Sequence, residues 1–299
     1  MPNYAVIDCG TNTFHLLIAK PSSDGSFEAV YRERRYVKLA EEGIERIGDA
    51  PYQRAFKTLQ DYAVIIKQYD VRATRVSGTA ALRTAENGPD FVQQVAEETG
   101  LDIQIIPGKT EAQLIHRGVS KAIGKQNGRW MIMDIGGGSV EFIISDNDTV
   151  LWYESFPVGV AVSYRRFHRS EPISEAEITE TTAFFTDQLK DLKTALEQFP
   201  LEHLVGAAGT FDVLADVLGY ETITPHATAV GLGKFEAFYK VVIAAGKAER
   251  YAMTTIPDSR ADMIVVALIL VKYIINLAGI KQLSVSQFSM KEGMLDEMM

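Results

Sequence analysis

The chain has 299 residues, and its content of 46% hydrophobic and 23% charged residues is that of a globular protein, which excludes disordered and collagen-like chains. Acidic residues outnumber basic ones by 39 to 30, and the net charge of -9 argues against a nucleic-acid coat, a membrane-surface binder and, on charge alone, a polyanionic substrate. The single cysteine, Cys9, excludes an internal disulfide and a multi-cysteine metal site, and it fits a reducing, cytoplasmic setting.

The first half of the chain predicts short strands that alternate with helices. Strands are expected over 4–8, 14–19, 27–36, 75–77 and 102–106, and helices over 52–69, 79–85, 91–99 and 110–122. Residues 124–129 are weakly apolar and rich in Gly, Lys, Gln and Asn. This stretch predicts the boundary between a domain of 1–123 and a domain of 124–299.

The second half continues the same alternation, which is typical of an α/β protein. Strands are expected over 130–134, 140–145, 150–156, 203–207 and 283–286, and helices over 160–169, 174–198, 210–218, 235–245, 261–277 and 290–298. The most apolar stretch, 263–271, is shorter than the roughly 20 residues that a membrane span needs, so it predicts a buried core helix. No signal peptide is visible at the N-terminus.

An internal repeat links the two predicted domains. Residues 5–18, A-V-I-D-C-G-T-N-T-F-H-L-L-I, match residues 131–144, M-I-M-D-I-G-G-G-S-V-E-F-I-I, and the alignment places Asp8 on Asp134 and Gly10 on Gly136. The simplest account is a duplicated hairpin at the start of two similar α/β halves that face a cleft.

The two hairpin turns carry residues that suit phosphate and metal. Glycine allows close backbone approach, consecutive N–H groups form an anion nest, and hydroxyls add donors. The candidate phosphate-binding residues are Gly10, Thr11, Asn12, Thr13, Gly136, Gly137, Gly138 and Ser139. Asp8 and Asp134, at strand ends, are candidate Mg²⁺ ligands. The alternative is that the glycines only close hairpins; neither a P-loop nor a G-x-G-x-x-G motif is present.

Further candidates lie at two other strand-to-helix turns. Gly209 and Thr210 open a helix whose N-terminus could bind an anion, or they form a tight turn for packing. Arg83 lies in the first turns of a short helix, either as a phosphate ligand or as a solvated charge.

Two glutamates are candidates for acid–base or metal chemistry. Glu111 lies in the first turn of a predicted helix. It is either a general base that takes a proton from an attacking water or only a negative charge that stabilises the positive end of the helix dipole. Glu141 alternates with Val140 and Phe142 along a strand, so it points into the cleft as a second carboxylate or lies on a solvated face.

Basic residues also form two clusters, each of which is either a solvated face or the lining of an anion channel. One contains Arg32, Arg34, Arg35 and Lys38, and the other contains Arg165, Arg166, His168 and Arg169. The histidines show no zinc-site spacing, the serines no G-x-S-x-G elbow, and Cys9 fits core packing better than nucleophilic chemistry.

In their order along the chain, these motifs resemble the exopolyphosphatase/guanosine pentaphosphate phosphatase (Ppx/GppA) family, over essentially the whole chain. Its opening phosphate loop resembles 5–18, and its most specific signature resembles M-D-I-G-G-G-S-V-E at 133–141. Shorter matches are S-G-T-A-A-L-R, I-P-G-K-T-E-A, S-F-P-V-G-V, R-A-D-M-I and L-S-V-S-Q-F-S-M-K-E-G-M-L. The resemblance implies the actin-like, ribonuclease H-like fold of the sugar-kinase superfamily: two similar α/β domains that face a central cleft, with the last helix able to pack back toward the first domain.

The resemblance also implies an activity, the removal of terminal orthophosphate from inorganic polyphosphate or from guanosine pentaphosphate. Glu111 matches the family's catalytic base, Arg83 a phosphate-binding arginine, and Asp134 and Glu141 residues that hold metal and water, with Glu141 also placed among the catalytic residues. The implied cofactor is Mg²⁺ or Mn²⁺, with Asp8 as a further ligand. A cytoplasmic homodimer that binds neither nucleic acid nor membrane is expected.

Several positions depart from the family pattern. His15 stands where the family often has Arg, Val140 replaces a common Thr, and Gln287 with Phe288 replaces Asp-Arg. Ala207 and Ala208 occupy a turn that often has another Gly. The chain resembles the short form without helical C-terminal domains, which puts processivity on long polymers in doubt.

Two other functions are compatible with the same motifs. One is a kinase of the same superfamily that transfers phosphate from ATP, and the other is a non-catalytic module that senses polyphosphate or an alarmone. The net charge of -9 describes the far field, so a polyanion site would depend on contacts at short range. We therefore expect dependence on a divalent metal and a preference for short substrates.

Overall fold

The computed structural model describes residues 2–23, 26–207 and 209–299. The chain forms two compact units. Unit 1 consists of Met1–Gly118 together with Met290–Met299, and unit 2 of Val119–Ser289. The C-terminal segment is therefore part of unit 1.

Strands and helices alternate along the described chain. The strands are β1 (Asn3–Cys9), β2 (Thr13–Pro21), β3 (Phe27–Tyr36), β4 (Val71–Gly78), β5 (Ile103–Ile105), β6 (Arg129–Ile135), β7 (Val140–Asp146), β8 (Thr149–Phe156), β9 (His203–Ala207), β10 (Gly219–Thr224), β11 (Ala227–Val230) and β12 (Gln282–Ser286). The helices are α1 (Asp49–Lys67), α2 (Ala80–Thr84), α3 (Gly88–Thr99), α4 (Gly108–Ile123), α5 (Val160–Phe167), α6 (Glu175–Gln188), α7 (Lys190–Gln198), α8 (Thr210–Leu218), α9 (Leu232–Ala244), α10 (Lys247–Ala252), α11 (Asp258–Ala261), α12 (Ile264–Ala278) and α13 (Met290–Met298).

The two sheets share one strand order, which supports the duplication expected from the internal repeat. The five-stranded sheet of unit 1 has the order β3-β2-β1-β4-β5. The seven-stranded sheet of unit 2 contains the equivalent series β8-β7-β6-β9-β12 and adds β11 and β10 at one edge. In unit 1, β1 pairs antiparallel with β2 and parallel with β4. In unit 2, β6 likewise pairs antiparallel with β7 and parallel with β9.

The register of the hairpins is also the same. Asp8 pairs with His15 across β1 and β2, and Asp134 pairs with Glu141 across β6 and β7. Because the side-chain period of a strand is two residues, equal register places these paired side chains on equivalent faces of the two sheets.

Unit 1 packs its sheet between helices. Ile7 and Phe14 face a core that α1 and α3 complete with Phe56, Leu59 and Phe91. Helix α13 packs against β1, and it is also held by ion pairs of Arg75 with Glu297 and of Arg117 with Asp296.

Unit 2 is built around α12, which is apolar on nearly every side. Its residues from Ile264 to Val271 are all buried, as the composition of this stretch predicts. Among the described residues, no helix is long and apolar enough to cross a membrane.

Several elements differ from the sequence prediction; β4 begins earlier than predicted, at Val71, and the four-residue helix α11 was not predicted. The predicted helix over 174–198 is divided at the buried Leu189 into α6 and α7, and this division lets Leu192 and Leu196 also reach the core. The β10–β11 hairpin was not predicted because β10 is mostly exposed and carries no apolar alternation. Helix α10 was not predicted either, because its six residues are too few to show a helical period.

Candidate active site

The hairpin turn of unit 1 is tight and is fixed by a neighbouring segment. The backbone N–H of Gly10 donates to the carbonyl of Thr13 at 3.1 Å. The carbonyls of Thr11 and Asn12 accept hydrogen bonds of 2.8 to 3.0 Å from the amides of residues 37–39, which follow β3. These carbonyls are thereby turned toward 37–39, and a peptide whose carbonyl points one way presents its N–H to the opposite side.

The hairpin turn of unit 2 has the same hydrogen bond and a helical support. Gly136 donates to the carbonyl of Ser139 at 3.0 Å. The carbonyls of residues 136–138 accept hydrogen bonds of 2.9 to 3.3 Å from the amides of residues 159–161 at the start of α5. The glycine turn therefore rests with its carbonyls on α5, so its N–H groups are directed away from that helix.

Gly159, which precedes α5, fits too closely against this turn to carry a side chain. A Cβ at this position would lie 2.3 Å from the carbonyl oxygen of Gly137 and 2.5 Å from its carbonyl carbon. Only glycine permits the helix to approach the turn so closely. Gly159 belongs to the S-F-P-V-G-V match, but no local pattern in the sequence indicates this close approach.

Asp134 and Glu141 form a pair of buried carboxylates in unit 2. They are register partners on adjacent strands, and they are 8% and 3% exposed. Glu141 accepts hydrogen bonds from the hydroxyls of Ser139 at 2.5 Å and Ser155 at 2.7 Å, and Asp134 accepts one from Ser289. Ser155 and Ser289 were not identified from the sequence, because nothing local marks a serine that lies 14 or 155 residues from its partner in the chain.

The oxygen donors around this pair suit a hard divalent cation. Carboxylates and hydroxyls are the side-chain ligands that Mg²⁺ accepts, and it keeps several waters beside one or two carboxylates. The pair therefore fits Mg²⁺. Within the described residues, no group of three or more His, Cys, Asp or Glu side chains is assembled that could hold a metal ion by itself.

Unit 1 differs from unit 2 at the equivalent pair. Asp8 occupies the position of Asp134, whereas His15 occupies that of Glu141 and contacts the hydroxyl of Thr13 through Nε2 at 3.0 Å. The register partner of Asp8 on β4 is Ser77, whose hydroxyl is fully buried and has no hydrogen-bond partner among the described residues. Asp8 lies in the unit that does not contain Asp134 and Glu141.

Arg83 and Glu111 are brought together within unit 1. Arg83 belongs to α2 and Glu111 to the first turn of α4, and Nη1 of the arginine donates to Oε2 of the glutamate at 3.2 Å. The same Nη1 donates to the carbonyl of Ile106 at 2.8 Å. Glu111 is 6% exposed, so its carboxylate is buried beside a guanidinium that remains partly accessible.

The third predicted turn leads into α8 through Gly209, which has a φ of +53°. A Cβ here would lie 3.3 Å from Nη1 of Arg260, so the glycine lets an arginine approach the start of the helix. Thr210 is buried at the first position of α8. Ala208 lies outside the described residues.

The departures near the last strand make packing contacts. Phe288 stacks on His226 with 4.2 Å between ring centroids, and the N–H of Gln287 donates to the carbonyl of His226 at 2.9 Å. Cys9 is buried in the core of unit 1, where burial and the charge of Asp8 raise the pKa of its thiol. A thiol in this environment is a poor nucleophile.

Comparison with known proteins identifies the family. The model of the Ppx/GppA phosphatase family matches residues 17–299. A putative exopolyphosphatase of Haemophilus influenzae is 27% identical over 97% of this chain and 90% of that protein. A guanosine-5'-triphosphate,3'-diphosphate pyrophosphatase of Vibrio vulnificus is also 27% identical, over 100% of this chain but only 59% of its own length.

Solved structures show the same fold. The crystal structure of an exopolyphosphatase from Cytophaga hutchinsonii is 33% identical, with a TM-score of 0.93 over 99% of this chain and 97% of that chain. The Aquifex aeolicus member of the Ppx/GppA family is 23% identical and has a TM-score of 0.83 over 99% of this chain, which shows the shared fold. The predicted α/β class is thus confirmed, and the chain belongs to the Ppx/GppA phosphatase family.

Proposed function

We propose that this chain is a metal-assisted phosphohydrolase that removes terminal orthophosphate from inorganic polyphosphate, from guanosine pentaphosphate, or from both. The names of its relatives support this reaction class, since they include an exopolyphosphatase and a guanosine pentaphosphate phosphatase. The observation that carries the proposal is the hydrogen bond between the partly exposed Arg83 and the buried Glu111, because it joins a candidate phosphate-binding group to a candidate proton acceptor.

Glu111 is the proposed general base. Its carboxylate accepts a proton from a water molecule while the water oxygen attacks the terminal phosphorus and the bridging P–O bond breaks. The hydrogen bond from Arg83 and the position in the first turn of α4 fix the direction of the carboxylate. A fixed carboxylate orients the water, and orientation supplies a large part of the rate in this reaction class.

Arg83 is the proposed ligand of the terminal phosphoryl group. Its described hydrogen bonds to Glu111 and to Ile106 both use Nη1, so Nε and Nη2 are available for a phosphate oxygen. Arginine binds phosphate in a planar, two-pronged geometry that a solvated lysine does not supply. A phosphoryl group bound in this way would lie next to the proposed base.

The two hairpin turns are the proposed backbone sites for phosphate oxygens. In both units the turn carbonyls are held by a supporting segment, which directs the N–H groups to the other side. Backbone N–H groups, that of Ser139 among them, and the hydroxyl of Thr13 then serve as donors whose positions do not change during the reaction. The hydroxyl proton of Ser139 is used in its hydrogen bond to Glu141. Gly209 and Thr210 offer the same chemistry at the start of α8.

Asp134 and Glu141 are the proposed ligands of Mg²⁺ or Mn²⁺, with Asp8 as a further proposed ligand. When bound, the ion neutralises charge on the phosphoryl oxygens. The hydroxyls of Ser139, Ser155 and Ser289 orient the two buried carboxylates of unit 2. The cytoplasmic location and the homodimer stay predictions.

A substrate panel tests the proposal against its alternatives. Purified protein with Mg²⁺ is given polyphosphates of several lengths, guanosine pentaphosphate, and ATP with and without candidate acceptors, and released orthophosphate is measured. Release from polyphosphate or guanosine pentaphosphate supports the hydrolase. Consumption of ATP only with an acceptor would indicate a kinase, and tight binding of every phosphate chain without release would indicate a non-catalytic sensor.

A further inference from the structure

The first basic cluster of the sequence is divided by β3 between two faces of the sheet. Arg35 points toward α1, where it pairs with Glu33 at 2.7 Å and Asp61 at 2.5 Å and lies over the ring of Tyr62. Arg32 and Arg34 alternate with Glu33 and Arg35 along the strand, so they occupy the opposite face. Arg35 therefore has a structural role, which leaves two arginines on the outer face.

These two arginines, which we name the β3 arginine strip, are exposed and lack a carboxylate partner. Among residues 2–23, 26–207 and 209–299, neither Arg32 nor Arg34 forms an ion pair, and Arg34 lies over the ring of Tyr36 at 5.3 Å. Two partly exposed arginines elsewhere in unit 1, Arg54 and Arg75, are by contrast paired with Glu41 and Glu297. Two unpaired guanidiniums two residues apart form a local positive surface on a chain of negative net charge.

The strip is continuous with the phosphate-binding turn of unit 1. Across β2 and β3, Tyr36 is the register partner of Thr13 and Arg34 is the register partner of His15, which in turn pairs with Asp8 on β1. Register partners share one face, with Cβ atoms about 4.5–5.5 Å apart. Arg34 is thus one strand beyond the turn residues on the same face, and Arg32 lies about 7 Å further along β3.

The position of Arg34 also concerns His15, which stands where the family often has an arginine. The resemblance to the family predicts that histidine here removes a fixed positive charge from the turn. The guanidinium of Arg34 stands on the neighbouring strand at the same register level. A fixed charge is therefore present next to the turn, displaced by one strand toward the sheet edge.

The second basic cluster offers no comparable surface. Arg166 lies over the rings of Phe167 and Phe184, Arg169 pairs with Glu180 at 2.6 Å, and the side chain of His168 is fully buried. These three groups are used in packing and ion pairs within unit 2, so among the described residues the cluster leaves one exposed arginine, Arg165, rather than two neighbouring ones.

We propose that the β3 arginine strip binds the phosphoryl groups that follow the terminal one in a linear phosphate chain. This inference rests on the proposed function, since it extends the phosphate-binding turn of unit 1. Arg34 contacts the nearer group and Arg32 the next, so affinity rises with chain length until the strip is covered and then levels off. A strip of two arginines fits a short phosphate chain, either inorganic or attached to a nucleoside.

Equilibrium binding at low ionic strength tests the strip separately from turnover. Dissociation constants for pyrophosphate, tripolyphosphate, a longer polyphosphate and guanosine pentaphosphate are measured in a Glu111→Gln background, which prevents hydrolysis during the measurement. In Arg34→Ala the ratio of long-chain to pyrophosphate dissociation constants rises about threefold to tenfold, and in Arg32→Ala/Arg34→Ala about tenfold to hundredfold. Salt reduces the difference, because exposed charges are screened.

Arg72→Ala is the matched control, since Arg72 is an exposed arginine on the same sheet about 17 Å along β4 from the register level of Asp8. This variant should keep the wild-type dependence of affinity on chain length.

An unchanged dependence of affinity on chain length in the double variant would overturn the proposed role of the strip, even if the wild type hydrolyses phosphate chains. A wild type that binds longer chains through the strip but releases no phosphate would instead contradict the proposed function. If the double variant loses affinity only for guanosine pentaphosphate, the strip binds a phosphate chain that is attached to a nucleoside. If it loses affinity equally for the inorganic chains, the strip recognises the phosphate groups alone.

Discussion

At the residue scale, the candidate chemistry depends on carboxylates that are buried and hydrogen-bonded. Glu111 is held by Arg83, and Glu141 by two serine hydroxyls. The residue types and their motifs could be identified from the sequence because each lies next to a glycine turn or a helix start. The serine donors could not, since Ser155 and Ser289 reach their partners through strand register and tertiary packing.

Asp134→Ala is expected to weaken dependence on the divalent metal and activity together. Removing one of two neighbouring carboxylates takes away a charged oxygen ligand, so the Mg²⁺ concentration for half-maximal activity rises at least tenfold. A metal titration of the phosphate-release rate measures this. The control is Asp146→Ala, which removes a half-buried carboxylate at the other end of the same hairpin. A titration curve and rate equal to those of the wild type would remove Asp134 from the metal site.

At the element scale, the two hairpins and the segments that support them define the geometry. Short apolar runs on either side of a polar, glycine-containing turn predicted both hairpins, and β3 and α13 have the bounds that the sequence predicted. The support of the Gly136–Ser139 turn by α5 could not be predicted, because it depends on the approach of Gly159 to a turn twenty residues earlier in the chain.

Gly159→Ala is expected to displace the turn of unit 2. The new Cβ would lie 2.3 Å from the carbonyl oxygen of Gly137, so either the turn or α5 has to shift. We expect kcat/KM to fall at least tenfold, with a loss of about 1–3 kcal/mol in the free energy of unfolding. Gly231→Ala is the control, since Gly231 also precedes a helix but has no atom within 3.7 Å of the added Cβ. Equal kcat/KM in the two variants would show that the close approach has no catalytic consequence.

Glu177 stabilises the start of α6 in a manner that depends on pH. Burial raises the pKa of Glu177, but hydrogen bonds from Ser170, Ser174 and the amide of Arg169 outweigh burial and hold the pKa well below its ordinary value of 4.5. The unfolded chain therefore binds the proton more readily. The stabilisation is complete above pH 4.5 and is lost as the pH falls from there toward the lower pKa of the folded state.

Glu177→Gln should lower the free energy of unfolding by about 1–3 kcal/mol at pH 7, and the difference from the wild type should narrow at pH 3. Denaturant unfolding at both pH values measures this. Glu175→Gln, at an exposed position in the same first turn, should be close to neutral. If Glu177→Gln lowers the free energy of unfolding equally at pH 3 and pH 7, the stabilisation does not come from the ionised carboxylate of Glu177 at the start of α6.

At the scale of the whole molecule, net charge is a poor guide to the ligand. A charge of -9 disfavours a polyanion only in the far field, whereas the proposed phosphate donors, which are the backbone turns, Arg83 and the β3 arginine strip, would act at contact distance. The internal repeat predicted two related halves, and the shared strand order shows them. The edge hairpin β10–β11 lies outside the repeat and carries no apolar pattern of its own, so no comparison within the chain could reveal it.

The proposed function depends most on Glu111 as the base that activates water. Phosphate release and substrate binding are therefore measured for the wild type, for Glu111→Gln and for Glu97→Gln, a change of an exposed glutamate on α3 that serves as the control. We expect Glu111→Gln to lower turnover by about 10²–10⁴-fold while the dissociation constant stays within a few-fold and the control keeps full activity. Turnover by Glu111→Gln equal to that of the wild type would exclude Glu111 as the base.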